Sequence, residues 1–197
     1  MARRRKKKKF FKMRPPVMAA LVLLLIFLIA SGIWMLEHRR YTRQEIAAEI
    51  GRFSAKHRLP AALVYSVVEQ ESKFDSTAVG KAGEIGLMQL MPPGKPGAPE
   101  EWARVFKTSC PSRRQLFKID CNINIGCWYL ARALKKWRKY KHATELALVE
   151  YNAGAKQANL CKPETLDGEV IPRIKIASTK RYVIEIMERY RALERRK

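Results

Sequence analysis

The chain has 197 residues, of which 47% are hydrophobic and 29% are charged. This length leaves room for one domain of ordinary size and an appendage. The net charge of +22 favours an anionic partner such as nucleic acid, phospholipid head groups or an acidic polymer, without choosing among them. Residues 1–36 hold nine of the 40 Lys and Arg residues and none of the 18 acidic ones, so the remainder is still strongly basic.

The N-terminus predicts a membrane segment. Arg3 to Lys9 is an unbroken basic run, and Val17 to Leu36 contains no charged residue. A helix that rises about 1.5 Å per residue crosses the roughly 30 Å hydrocarbon layer in this length. Because positive flanks stay in the cytoplasm, we expect a basic cytoplasmic tail at 1–16, a single-pass transmembrane anchor at 17–36, and the rest outside the cytoplasm. A signal peptide cleaved near Ala30-Ser31-Gly32 is the alternative, but the apolar run exceeds the roughly 7–15 residues usual there.

All four cysteines lie on the exported side of this segment: Cys110, Cys121, Cys127 and Cys161. An even number of cysteines in an oxidising compartment predicts two disulfides, and the sequence does not choose among the three pairings. Free thiols are the alternative. A metal site is the least favoured, because no C-x-x-C pair and no neighbouring His is present. We expect neither a metal nor a cofactor.

The exported part reads mainly as helix. Thr42 and Glu45 have the spacing of a capping box, and Leu59-Pro60 starts a second helix that runs to Glu71-Ser72. Glycines and prolines over 75–97 predict an irregular loop with a short hairpin. Further helices are predicted near Pro99, over Cys121 to Tyr140, over Thr144 to Tyr151, and from Ser178 onward. Few segments alternate with period two, so the fold class is mainly α, a compact bundle with one substrate groove.

Three short segments carry the functional signal. Glu71-Ser72 precedes Gly86-Leu87-Met88-Gln89-Leu90-Met91-Pro92, and Tyr151-Asn152-Ala153-Gly154 follows about sixty residues later. In this order and spacing they resemble the signature segments of the soluble lytic transglycosylase (SLT) domain, which is related to goose-type lysozyme. Arg181-Tyr182-Val183 is similar to that family's C-terminal helix. The resemblance covers roughly residues 55–190 and implies a lysozyme-like α-helical catalytic domain at 55–197, with 37–54 as linker and first helix.

Glu71 is the predicted catalytic residue. It follows Val67-Val68 on an apolar helix, and desolvation there raises the pKa of a carboxyl. Most Glu residues at helix ends are solvated and inert, so it is the resemblance that selects this one. It implies that Glu71 acts as general acid and then as base. The implied substrate-binding and positioning residues are Ser72, Gln89, Met91, Tyr151, Asn152 and Tyr182.

The chain departs from the family pattern at a few positions. Gly80 stands where many members have Ser, and Glu84 stands where Ala is frequent. Glu84 is therefore a possible second carboxylate, although a solvated loop residue is the favoured interpretation. Glu150 also replaces a frequent Ala and is expected to point away or to pair with an Arg. Gly86 and Gly154 are expected to serve backbone geometry, at places where a side chain would collide. Leu87, Met88 and Leu90 are expected to pack in the core.

The resemblance implies a peptidoglycan lytic transglycosylase. Such an enzyme cleaves the β-1,4 bond between N-acetylmuramic acid and N-acetylglucosamine and forms a 1,6-anhydro sugar with one catalytic Glu. A lysozyme-type hydrolase and a non-catalytic peptidoglycan-binding or assembly protein are the alternatives. The expected location is the outer, periplasmic face of the bacterial inner membrane. A nucleic-acid partner is disfavoured, because the one basic and aromatic cluster, Arg138-Lys139-Tyr140-Lys141, is a weak signal on an exported chain.

Overall fold

The structure is a computed structural model that describes residues 15–37 and 41–196, with side chains for 18–32 and 41–196. The chain divides into two units, Met1–Arg40 and Tyr41–Lys197. The predicted basic tail lies outside the described residues except for positions 15 and 16.

The first unit contains helix α1, Pro15–Glu37. Its large apolar side chains between Met18 and Ile29 are each more than half exposed. Among the described residues no helix is long and apolar enough to cross a membrane. The predicted transmembrane segment at 17–36 is therefore not confirmed.

The second unit begins with α2, Arg43–His57. The predicted capping box is confirmed, since the Glu45 N–H donates to the Thr42 hydroxyl at 3.2 Å and the Thr42 N–H donates to the Glu45 carboxylate at 2.8 Å. The inward face of α2 is buried against α3 and α6. The boundary predicted between residues 54 and 55 falls inside this helix, which belongs to the second unit.

Helix α3, Ala61–Ser72, carries the predicted acid in its last turn. Pro60 is its N-cap rather than a first-turn residue. The buried face includes Val64, Val67 and Val68, all fully enclosed, and the helix packs against α2 and α8. It ends where Lys73 and then Phe74 adopt positive φ values of 53° and 66°. This left-handed pair turns the chain sharply into the following loop.

That loop, residues 75–97, has only two isolated antiparallel bridges, Val79 to Ile85 and Ile85 to Leu90. Its segment 85–88 is nonetheless core, as Ile85, Leu87 and Met88 are at most 1% exposed. The remaining helices follow in chain order: α4 (Ala98–Phe106), α5 (Arg113–Leu116), α6 (Ile119–Trp137), α7 (Ala143–Cys161) and α8 (Ala177–Glu194), with a 3-10 turn at Ile171–Arg173 before α8. The mainly helical prediction is confirmed.

Gly86 and Gly154 are required to be glycine for different structural reasons. A Cβ on Gly86, whose φ is +72°, would lie 2.7 Å from the Asn122 amide nitrogen, so the expected collision is present. Gly154 breaks α7 with φ 83° and ψ 164°, yet nothing lies within 4 Å of a Cβ there. The backbone role predicted for Gly154 is therefore confirmed, although the collision expected with it is absent. Its backbone angles, which are essentially confined to glycine, are the constraint.

The four cysteines are free thiols, so the prediction of two disulfides is not supported. Cys127 lies inside the core with no exposed surface and behaves as a small apolar residue. An even count says nothing about geometry, and a disulfide needs Cβ atoms about 3.5–4.5 Å apart. Burial raises the pKa of Cys127 to about 12, which makes it unreactive as well as unpaired.

Candidate active site

A groove of about 420 Å³ opens beside the last turn of α3. Its walls come from five parts of the chain: α3, the loop that follows it, the first residue of α4, α6 and the broken region of α7. Most of the predicted site residues line it, namely Glu71, Glu84, Gln89, Met91, Tyr151 and Asn152. The groove thus brings together segments that are some eighty residues apart in the sequence.

Glu71 is a partly buried carboxyl on the groove wall. The Tyr182 hydroxyl, on α8, donates a hydrogen bond to its Oε1 at 2.6 Å. Burial raises the pKa of Glu71 from 4.5 to about 7, the Tyr182 hydrogen bond opposes this rise, and the negative charge of Glu84 adds to it. This carboxyl therefore keeps its proton to a much higher pH than a free glutamate does, and the protonated form is the state that a general acid requires.

Tyr182 and Tyr151 make different contacts in the site. Tyr182 is buried behind Glu71, whereas Tyr151 lines the groove and donates its hydroxyl to the Met88 backbone carbonyl at 2.8 Å. Burial, with the nearby Glu71 charge, raises the pKa of both phenols well above the usual value. Both hydroxyls stay protonated as donors. Tyr182 orients the Glu71 carboxyl, and Tyr151 holds the backbone of the loop at Met88.

Asn122 on α6 is a supporting residue to which the sequence argument gave no role. Its Oδ1 accepts from the Met88 N–H at 2.8 Å, and its Nδ2 donates to the Ile85 and Leu116 carbonyls at 2.8 Å. The side chain is 1% exposed, so it replaces water for three backbone groups. A polar residue at an apolar-periodic position of a predicted helix was the available signal, since a buried amide needs partners.

Gln89 and Asn152 present amide groups to the groove. Gln89 has a left-handed φ of 45°, and its Nε2 donates to the Gly86 carbonyl at 2.8 Å. Asn152 is exposed, and its Oδ1 accepts from the buried Thr179 hydroxyl at 2.9 Å. Thr179 therefore fixes the orientation of the Asn152 amide. Sequence reasoning missed Thr179, which lies three residues before Tyr182 on the same helix.

Ser72 and Glu150 differ from expectation. The Ser72 hydroxyl is buried and donates to the Val68 carbonyl one turn earlier at 3.1 Å, so it does not face the groove. Glu150 borders the groove but is 3% exposed. Its Oε2 accepts from the Lys136 ammonium at 2.7 Å and the Trp137 indole at 2.8 Å, in place of the expected Arg.

An aromatic cluster adjoins the groove. Tyr129 lies 5.8 Å from Tyr151, and Trp128 continues the contact outward to Trp102 at 5.3 Å between ring centroids. Arg132 stacks over the Tyr129 ring at 5.1 Å. Within the described residues, no group of three His, Cys, Asp or Glu side chains is placed to hold a metal ion.

Residues 49–165 match the family described as the transglycosylase SLT domain. Over 82 residues the chain is 30% identical to membrane-bound lytic murein transglycosylase C of Edwardsiella ictaluri and 29% identical to the protein of that name from Haemophilus ducreyi. These matches cover 42% of this chain but only 22% of each relative.

Solved structures agree with this assignment. An inactive glutamate-to-glutamine mutant of lytic transglycosylase Slt from Pseudomonas aeruginosa aligns with a TM-score of 0.62 at 29% identity, over 73% of this chain and 23% of that one. The 70 kDa soluble lytic transglycosylase of Escherichia coli shares the fold, with a TM-score of 0.62 at 23% identity over 75% of this chain and 24% of that one. With a matched segment that exceeds half its length, the chain belongs to the transglycosylase SLT domain family, with the lysozyme-like fold.

Proposed function

We propose that the chain is a peptidoglycan lytic transglycosylase with Glu71 as its catalytic acid and base. The observation that carries this proposal is a lone proton donor of suitable strength at the groove wall. Glu71 has a pKa of about 7 and is oriented by a 2.6 Å hydrogen bond from Tyr182. Glycoside cleavage starts with protonation of the leaving oxygen, so a carboxyl that is still protonated near neutral pH is required.

The reaction then needs no second carboxylate and no cofactor. Protonated Glu71 gives its proton to the oxygen between N-acetylmuramic acid and N-acetylglucosamine, and the bond from that oxygen to C1 breaks. The Glu71 carboxylate next takes the proton of the muramoyl C6 hydroxyl, whose oxygen closes onto C1. The products are a free N-acetylglucosamine end and a 1,6-anhydro sugar, and water is not consumed.

The groove offers amide groups for the sugar substituents. Asn152, held by Thr179, has an NH₂ group without a partner in the described part of the chain, and Gln89 and Met91 also line the groove. Acetamido groups and hydroxyls are the hydrogen-bonding parts of such glycans. The strongly basic chain also suits a polymer that bears lactyl and peptide carboxylates.

The decisive test is product analysis on purified peptidoglycan with the wild type and with Glu71→Gln, a change that keeps the shape and removes the acid. We expect muropeptides that are lighter by one water from the wild type, and a loss of at least about 100-fold in their release from the variant, the usual contribution of a general acid. Glu188→Gln, an exposed carboxyl on α8, is the matched control. Hydrolytic reducing ends alone would identify a lysozyme-type hydrolase instead. Binding without cleavage, unchanged in Glu71→Gln, would identify a binding or assembly protein.

We also propose that α1 holds the domain at the outer face of the inner membrane. Support comes from its exposed apolar side chains, the basic run that precedes it, and the membrane-bound relatives. Leu24→Arg with Leu25→Arg is expected to release the chain into the soluble fraction after carbonate washing, because each buried arginine costs about 3 kcal/mol at a membrane centre. Leu24→Ala with Leu25→Ala is the control. Loss of residues 1–32 from the intact mass would instead show a cleaved signal peptide.

A further inference from the structure

Position 80 on the groove wall has no side chain, and another residue fills the space. A Cβ built on Gly80 would lie 2.3 Å from Glu84 Oε2 and 2.7 Å from Gln89 Oε1. Both atoms are therefore closer than any real Cβ contact allows. The backbone of Gly80 is not in the left-handed region, so the glycine is explained by space and not by φ. The missing side chain creates a niche, formed by Gly80, Glu84 and Gln89.

The Glu84 carboxylate is held in this niche by the loop itself. Its Oε2 accepts from the Ala82 N–H at 2.9 Å, and the Gly80 N–H donates to the Glu84 backbone carbonyl at 2.9 Å. The tight turn between them closes with a bond from the Gly83 N–H to the Gly80 carbonyl at 3.0 Å. Glu84 is half-buried and lines the same groove as Glu71. The loop therefore holds this carboxylate at the groove wall, whereas the sequence favoured a solvated loop residue.

We propose that Gly80 and Glu84 act as one unit, in which the niche left by the glycine holds the Glu84 carboxylate at the wall of the groove that Glu71 also lines. Glu84 is then a positioning residue that keeps the proton on the catalytic acid. The proposal rests on the function proposed for Glu71. A negative charge across a shared, partly desolvated groove disfavours a second one, so Glu84 helps Glu71 to stay neutral until the substrate oxygen takes the proton.

The titratable groups that act on Glu71 come from α8, α7 and the loop after α3. The Tyr182 hydroxyl approaches from α8 and favours the ionised form, whereas Tyr151 from α7 is a neutral phenol. Glu84 from the loop favours the protonated form, in the same direction as burial. Two further charged residues border the groove, Lys81 and Glu150, and Glu150 is already paired with the Lys136 ammonium. Glu84 is the carboxylate whose charge raises the pKa of Glu71.

The niche permits a test that moves the Glu84 carboxylate without removing it. Glu84→Gln keeps the size of the side chain and removes the charge. Gly80→Ala leaves the charge in the chain but displaces the carboxylate, and because the displaced atoms are the ends of flexible side chains, the fold is expected to survive. Both variants, their double mutant and the surface control Glu188→Gln are compared in the full chain. Thermal unfolding confirms that each is folded.

The main measurement is the titration of the Glu71 carboxyl by carbon-13 NMR in glutamate-labelled protein, assigned with Glu71→Gln. We expect Glu84→Gln and Gly80→Ala each to lower the titration midpoint by about half a pH unit or more, the size expected of a carboxylate in a shared groove. The double mutant should shift no further than Glu84→Gln, and the surface control should not shift. The alkaline limb of peptidoglycan cleavage should move down by the same amount.

An unchanged midpoint in Glu84→Gln would overturn the proposal. A midpoint that moves in Glu84→Gln but not in Gly80→Ala would overturn the part played by the niche, as would additive shifts in the double mutant. The NMR titration does not depend on activity. If the wild type cleaves peptidoglycan but the Glu71 midpoint does not shift in the variants, only this inference is refuted. If the midpoint shifts but the wild type cleaves no peptidoglycan, only the proposed reaction is refuted.

Discussion

Replacement of Tyr182 by Phe removes one oxygen and leaves Glu71 in the same buried place. The lost hydrogen bond is 2.6 Å long and stabilises the ionised carboxyl, so the pKa of Glu71 must rise above its wild-type value of about 7. A hydrogen bond to a charged group contributes about 1.5–3 kcal/mol, and one pK unit corresponds to about 1.4 kcal/mol. The rise is therefore about 1 to 2 units. At pH 8 the protonated fraction grows from roughly a tenth to a half or more.

The assay is the release of soluble muropeptides from purified peptidoglycan between pH 5 and 9. We expect Tyr182→Phe to cleave more slowly at its optimum, because the acid loses its orientation, while its alkaline limb moves up by about 1 to 2 pH units. Tyr65→Phe, a half-buried tyrosine on α3 that does not line the groove, should leave the limb in place. A limb that stays fixed or moves down in Tyr182→Phe would refute the reasoning.

Four further outcomes follow from the same geometry. Because the pKa of Glu71 is raised, the free energy of unfolding falls as pH rises from 4.5 to about 7. Chemical denaturation should therefore show Glu71→Gln to be more stable than the wild type by on the order of 3 kcal/mol at pH 8 and about equally stable at pH 4. The same gain in stability at both pH values would contradict this. Asn122→Asp should cost at least about 2 kcal/mol, because two backbone carbonyls lose their donor, whereas Asn124→Asp keeps the acceptor used by Lys56 and His57. Gly154→Ala should lower the free energy of unfolding by about 1–3 kcal/mol. Gly51→Ala, at an open position on α2, should raise it by about 0.5–1 kcal/mol. If both substitutions change the stability in the same direction, the backbone explanation is wrong. Unreduced, denatured protein should take up four alkyl groups by mass spectrometry, since all four thiols are free.

The helices could be predicted because their signals are local. The capping box at Thr42 and the apolar periodicity of α3 depend on residues within one or two turns, and the structure has them. The helix predicted to stop at Asn152-Ala153-Gly154 does break there, but it resumes to Cys161 because only one residue leaves helical angles. Ser72 was assigned to the groove from its place beside Glu71. A serine in the last turn of a helix instead donates back to the preceding turn.

The parts of the site that the sequence did not predict depend on contacts between residues that are far apart in the chain. Nothing local indicates that Asn122 would receive the Met88 N–H from 34 positions earlier, or that Thr179 would hold Asn152. The departures at Gly80 and Glu84 were visible as two separate substitutions. Their relation is steric, since one makes the space that the other fills, and only coordinates reveal it. The two disulfides predicted from the number of cysteines are not supported for the same reason. Disulfide pairing depends on distances between side chains, and the spacing of the cysteines along the sequence does not give them.

The aromatic cluster beside the groove gives the chain a built-in optical signal. Trp128 and Trp102 are in mutual contact and are linked through Tyr129 to the groove residue Tyr151, whereas Trp137 is buried next to Glu150. A saccharide that settles against Tyr151 is expected to alter the surroundings of the first pair through Tyr129, and those of Trp137 through Glu150, which also lines the groove. We expect binding of unlabelled glycan fragments to change the intrinsic fluorescence, and Trp128→Phe and Trp137→Phe to separate the two contributions.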